Sequence, residues 1–204
     1  LRPVAKLTEG ISMALVTPPG SAIERWSSFV EAAKVRPLGL AGTGPRSPSA
    51  LFQAMVERHL GQRFAMHRYD LDVEILGAMA RDDEPGILAT SSALAQPALG
   101  RPAPHILLTS GARRHPLLPE VPTLAEVTGD RGLAFTVSVG LFGPPGLETG
   151  AVEALNRALT AAGKDEAVRA EAHRLTLPLA IKDAAVLIDT MKRTRRVIQE
   201  LSHR

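Results

Sequence analysis

The sequence predicts an α/β fold, and three observations predict it. Hydrophobic residues make up 45% of the 204 positions and charged residues 22%, a balance that fills and solvates a core. Short apolar runs alternate with segments of helical spacing. Serine, threonine, glycine and proline stand at the joints, where turns and helix starts need them.

The elements follow in order. Residues 4–7 and 11–16 are short apolar runs that suit buried strands. Pro18, Pro19 and Gly20 end the second run. Ser21 is placed to cap a helix, with Glu24 three positions on as in a capping box. Ile23, Trp26, Phe29 and Ala33 then recur at helical spacing until Arg36-Pro37. Residues 38–41 form a further strand. The loop 42–49 leads into a helix over 50–60, stopped by Gly61. A strand over 64–69, a helix over 73–80 and a strand over 87–89 come next. Thr90, Ser91 and Ser92 open a small helix, and 105–109 is another strand. That alternation predicts mostly parallel strands. Downstream, Val121-Pro122-Thr123 opens a short helix and 135–142 alternates like a strand. Helices follow over 149–162, 165–175 and 183–202, the last with Leu187, Met191, Ile198 and Leu201 on its apolar side.

Composition excludes several function classes. The formal charge is only +3, basic residues are scattered, and aromatics are 3%, so nucleic-acid binding is not expected. No cysteine is present, which removes disulfides and thiolate chemistry. No apolar run reaches about 18 residues, so no membrane span is expected. Leu1-Arg2-Pro3 carries no signal peptide and does not begin with Met, so a processed, cloned or truncated chain is expected. His59, His67, His105, His115, His173 and His203 form no metal spacing, and Asp82-Asp83-Glu84 reads as an exposed turn. No nucleophile elbow or P-loop occurs, so neither an enzyme nor a cofactor or metal is expected.

The loop 42–49 is the best candidate for chemistry. Gly42 and Gly44 let a ligand approach the backbone, and Thr43, Ser47 and Ser49 offer hydroxyls. The helix beyond presents free N–H groups and a favourable dipole to an anion. On the residues alone, Ser47 or Ser49 as a simple cap is the favoured reading. Thr90 and Ser91 repeat the arrangement of strand, hydroxyls and helix start, and ligands of open α/β sheets sit beyond strand carboxyl ends. Tyr69, at a strand end, suits either donation to a carboxylate or a place in the core. Gly140 suits either a close approach to ligand or a strand bulge.

Several segments resemble the receptors of tripartite tricarboxylate transporters, the Bug family. The stretch 113–126, RRHPLLPEVPTLAE, follows a strand ending in Thr109-Ser110 and is similar to that family's R-S-P-x-L-P-D-V-P-T-x-x-E. Residues 140–146, GLFGPPG, resemble G-L-F-A-P-A-G. Leu155-Asn156 fits the family's L-N, 165–169 its D-P-E-V-R, and 3–7 its P-V-A-x-L. Residues 40–50, LAGTGPRSPSA, align without gaps with Y-A-S-S-G-x-G-T-x-x-H. There are departures too. Of V-P-Y-x-G-G only Tyr69 remains, with Leu71 and Asp72 in place of the glycines, and Arg81 to Pro85 replace G-G-Q-V-D. The family's upstream third has no counterpart.

The resemblance implies a two-lobe fold like type II periplasmic binding proteins, N-terminally truncated. One lobe would span 17–108 and the other 1–16 with 109–204, the chain crossing near 14–17 and 107–111. It implies a periplasmic solute-binding protein that captures a small carboxylate and delivers it to a membrane permease, without catalysis. The ligand-binding set is Gly42, Thr43, Gly44, Ser47, Ser49, Tyr69, Thr90, Ser91 and Gly140. A homodimer is expected if a sheet edge stands open. A ligand-sensing effector module, or a degenerate receptor acting through protein contacts, is the alternative.

Overall fold

The computed structural model describes residues 1–82 and 84–202, with the side chains of 82 and 200–202 left out. Asp83, His203 and the side chain of Leu201, all named above, lie outside what is described. The chain divides into two compact units, one made of Ser12–Thr136 and the other of Leu1–Ile11 with Val137–Arg204.

The larger unit is a five-stranded sheet in the order β4-β3-β5-β2-β6. Its strands are β2 (Met13–Thr17), β3 (Gly39–Gly42), β4 (Ala65–Arg68), β5 (Gly86–Ala89) and β6 (His105–Thr109). β3 runs parallel to β4 and β5, as the alternation predicts. β2 departs from it, lying antiparallel between β5 and β6. All five residues of β2 are buried, because neighbours flank it on both sides. Ala14 and Val16 share a cluster with Ala41, Leu88, Ala93 and with Ile75 and Met79 of α3 (Asp72–Asp82). α1 (Trp26–Val35) and α2 (Pro48–Leu60) add a layer of rings, with Trp26, Phe29 and Phe64 spaced 5.7 Å apart in succession.

α1 begins later than the sequence suggests. Ser21 accepts from Ile23 N–H, while Thr17 Oγ1 donates to the Ile23 carbonyl at 2.5 Å. That carbonyl is thereby taken, and Arg25 stays extended as the N-cap. Ser28 rather than Glu24 bonds back to Arg25 N–H, at 3.1 Å. α4 (Thr90–Leu94) is a single short turn, and α5 (Leu124–Thr128) starts at Thr123 with a complete capping box to Glu126. Arg114 grips Glu126 at 2.9 Å and the Pro119 carbonyl at 2.8 Å. The segment 113–126 is thus a self-bonded clamp.

The smaller unit is an antiparallel sheet, β7-β1-β8, of β1 (Arg2–Thr8), β7 (Gly140–Gly143) and β8 (Leu179–Asp183). The strand expected over 135–142 is confined to β7, preceded by an isolated bridge between Ile11 and Val137. β8 had no sequence signal, being five residues between two helices. The helices are α6 (Thr149–Ala162), α7 (Glu166–Arg174) and α8 (Ala184–Ser202). Val4 and Ala5 pack on Val152, with Leu141, Leu147 and Leu159 around them. Asn156 donates from α6 to the Val4 carbonyl at 2.8 Å, which ties helix to strand.

The unit boundaries fall at 11/12 and 136/137, not at 16/17 and 108/109. The physical reason is the pairing of β2. As the strand between β5 and β6 it belongs wholly to the larger sheet, and Ser110 and Phe135 remain bonded to that sheet's edge.

Candidate functional site

Strands β3, β4 and β5 point the same way, and β2 runs opposite to β5 and to β6. The carboxyl ends of β3–β6 and the amino end of β2 therefore share one edge. That edge collects the loop 42–49, Arg68-Tyr69, Thr90, Ser110 and Ser12. Crevices at such edges are where open α/β sheets bind ligands.

The loop 42–49 is held by its own hydroxyls. Ser47 is the N-cap of α2 and accepts from Ala50 N–H at 3.2 Å. Its hydrogen goes to the Gly44 carbonyl at 2.6 Å. The Ser47–Ser49 contact at 2.7 Å must then use the Ser49 hydrogen. Ser49 Oγ in turn accepts from Thr43 N–H at 2.8 Å and lies 3.0 Å from Thr43 Oγ1, whose hydrogen completes the chain. Ser49 is fully buried. Gly44 sits at φ +98°, a conformation that side-chain-bearing residues avoid. Gly42 keeps Ser49 Oγ close, since a Cβ there would stand 3.1 Å from it.

The second cluster behaves the same way. Thr90 Oγ1 donates to the Ser12 carbonyl and contacts Ser12 Oγ, each at 2.8 Å. Ser92 and the Ala89 N–H both bond Asp72 Oδ2. Ser91 is buried and has a partner of its own. Ser110 Oγ accepts from Met13 N–H at 2.8 Å and donates to the Phe135 carbonyl at 2.9 Å. The hydroxyls of Thr43, Ser47, Ser49 and Thr90 are thus spent inward. At the start of α2 Pro48 has no N–H and those of Ala50 and Leu51 bond Ser47, so what this edge offers an anion is the helix dipole and the side chain of Arg68.

Tyr69 packs against the core cluster, and its N–H donates to the Gly42 carbonyl at 2.9 Å. It also lines an open cleft of about 760 Å³ with Arg68, Asp70 and Glu74. Gly140 is in the smaller unit. A Cβ there would meet Leu187 at 2.8 Å and Phe142 at 3.1 Å, so α8 packs directly onto its bare backbone. Sequence reasoning passed over Ser12, Arg68, Asp72 and Ser110. Asp72 had a signal, since it stands where the resembled pattern has glycine; Ser12 and Ser110 had only their places beside strand ends. Among the described residues no cluster of metal-ligating side chains occurs. No described helix is long and apolar enough to cross a membrane.

The sequence matches the family model of tripartite tricarboxylate transporter family receptors over residues 1–203. The chain belongs to this family. It is a family of receptors, not of enzymes. Solved structures share the fold. One, the periplasmic binding protein BugD, superposes with a TM-score of 0.82 at 18% identity, covering 98% of this chain and 67% of its own. MatC from Rhodopseudomonas palustris, with bound malate, gives 0.73 at 23% identity, covering 98% and 67%. An R. palustris protein with adipate gives 0.71 at 18%, covering 99% and 65%. The receptor chain thus spans about two thirds of the length of these relatives. No curated protein matches it.

Proposed function

We propose that this receptor captures a small carboxylate at the carboxyl edge of its five-stranded sheet, in the periplasm, for a tripartite tricarboxylate-type permease. The observation that carries the reading is the loop 42–49, in which Gly44 at φ +98° and the Ser47 cap set the start of α2 against the strand ends. A carboxylate there gains from the helix dipole, about 0.3–1 kcal/mol at an exposed position, since the N–H groups of Ala50 and Leu51 are already taken by Ser47 and Pro48 has none. Gly42, Thr43, Gly44, Ser47 and Ser49 form the floor of that site, and Tyr69, Thr90 and Ser91 brace its sides. Their hydroxyl bonds hold the shape of the loop. Malate and adipate in two relatives support the ligand class. Gly140 serves the reading through packing of the smaller unit. Self-association would use the edge strands β7 or β8, which among the described residues each pair with β1 alone.

Thermal unfolding with malate, succinate, adipate, citrate and amino acids tests the reading. A ligand at a hundred times its Kd stabilises the native state by about 2.7 kcal/mol. In a chain of this size that raises Tm by roughly 5–10 °C. No shift with any carboxylate at millimolar concentration would sink it.

A further inference from the structure

The larger sheet has a second opening, at the edge opposite the loop 42–49. β2 ends there and β6 begins there, because the two run antiparallel. A cavity of about 340 Å³ lies between α3 and the turns that follow β2 and precede β6. Pro18 and Pro19 line it from the first turn, Pro102 and Pro104 from the second. Proline has no N–H and a fixed φ, so these walls are stiff and offer no backbone donor. Leu76 and Met79 of α3 line the other side, Met79 buried and Leu76 packed against the core cluster. Gly77 between them leaves the helix surface bare. A Cβ there would have open space, with Arg81 Nη1 at 3.6 Å as its nearest neighbour.

Two polar side chains stand among these apolar ones. Gln96 lines the cavity and is 5% exposed. Its Nε2 donates to the Ser92 carbonyl at 2.8 Å, and no described residue donates to its Oε1. The backbone folds back onto the same residue. The N–H groups of Leu99 and Arg101 both donate to the Gln96 carbonyl at 3.0 Å, with Gly100 at φ +70° making the turn. That turn sets Arg101 at the cavity beside Gln96. The Arg101 guanidinium is exposed and has no ion-pair partner among the described residues. An apolar cavity with a few convergent polar groups is the usual form of a small-ligand site.

We propose that this cavity is a second binding site, which takes a small apolar hydroxy acid. The hydrocarbon body lies on Leu76, Gly77 and Met79. The carboxylate meets Arg101, whose planar fork binds such a group through two parallel N–H bonds. The hydroxyl donates to Gln96 Oε1, the one acceptor that the apolar walls leave free. A water takes about 30 Å³ of liquid, so the cavity holds about eleven non-hydrogen atoms, the size of mandelate or 2-hydroxyisocaproate. The stiff proline walls need little ordering when a ligand enters. The proposal goes beyond carboxylate capture at the other edge and stands without it.

Calorimetric titration of the full chain with mandelate and 2-hydroxyisocaproate, set against phenylacetate and 4-methylpentanoate, tests it. The hydroxy acids should bind with a negative heat-capacity change, the mark of buried apolar surface. The analogues without the hydroxyl should bind several-fold more weakly, since Gln96 Oε1 then stays unpaired. Arg101→Gln, at an exposed position, should weaken the hydroxy acids about tenfold, the loss expected for a charge-assisted hydrogen bond. Gly77→Leu should abolish binding by filling the cavity. Its unliganded melting temperature should hold or rise, because glycine is a poor helix former and the site has room. Saturating malate should not displace either hydroxy acid. Binding that survives both substitutions, or that malate displaces, puts the acid elsewhere and overturns the proposal. Equal affinity with and without the hydroxyl overturns it too, as does no binding of either hydroxy acid at millimolar concentration.

Discussion

Ser49→Ala is the sharpest probe of how the loop is built. The side chain is fully buried and its oxygen touches Thr43 N–H, Thr43 Oγ1 and Ser47 Oγ, at 2.8, 3.0 and 2.7 Å. Alanine removes all three contacts. The hydroxyls of Thr43 and Ser47 are part-exposed and can turn to water, so their share is small. Thr43 N–H follows buried Gly42 and loses a partner it cannot easily replace. An orphaned donor of that kind costs about 1–3 kcal/mol, and the total should be about 2–3 kcal/mol. For a chain of this length that lowers Tm by roughly 4–12 °C. Urea titration followed by fluorescence is the assay, because Trp26 is the only tryptophan and stacks on Phe29 in the same unit as the loop. Ser47→Ala, which loses the cap, gives a reference of about 1 kcal/mol. A Ser49→Ala change below about 0.5 kcal/mol, the usual size for an unimportant surface substitution, would refute the account of the loop as a hydroxyl-bonded unit.

Two further outcomes follow from the rest of the molecule. Gly140→Ala forces a methyl to within 2.8 Å of Leu187, an overpacking that should cost about 1–3 kcal/mol. In a Leu187→Ala background the same change should become nearly neutral, with carboxylate affinity unaltered; loss of affinity there would give Gly140 a ligand contact instead. Glu126 has its carboxyl held below the ordinary range, first by the backbone N–H of Thr123 and then by Arg114. A folded-state value below the unfolded one contributes stability that is present above about pH 4.5 and lost as pH falls through the folded value. Glu126→Gln should therefore flatten the acid limb of a stability–pH curve, and an unchanged limb would show that the clamp at 113–126 is not electrostatically coupled to folding.

Much of the fold was legible because its signals are local. The helix start at Thr123, the Gly61 stop after α2 and the apolar face of α8 each involve residues a few positions apart. Ser47 as a cap belongs with them. The errors came where a distant residue decided. Ser21 looked like a cap, but Thr17 had already taken the Ile23 carbonyl. β8 exists because β1, far upstream in the chain, offers it an edge, with Ala5 opposite Asp183 and Thr8 opposite Leu179. β2 read as one more strand in a parallel series, and only pairing on both sides made it antiparallel and moved the unit boundaries.

The candidate site divides along the same line. By itself the sequence determined that glycines, hydroxyls and a helix start meet in the loop 42–49, and that the chain resembles carboxylate receptors. Those are properties of contiguous residues, set by backbone freedom and capping chemistry. Only the tertiary structure decided which way the hydroxyl hydrogens point, and that Thr90 is spent on Ser12, 78 residues away in the chain. It also set Arg68 beside Gly44. A hydroxyl or a guanidinium carries no mark of its partner until strands from separate segments pair in register, since only then do the competing acceptors come within 3 Å or so of it.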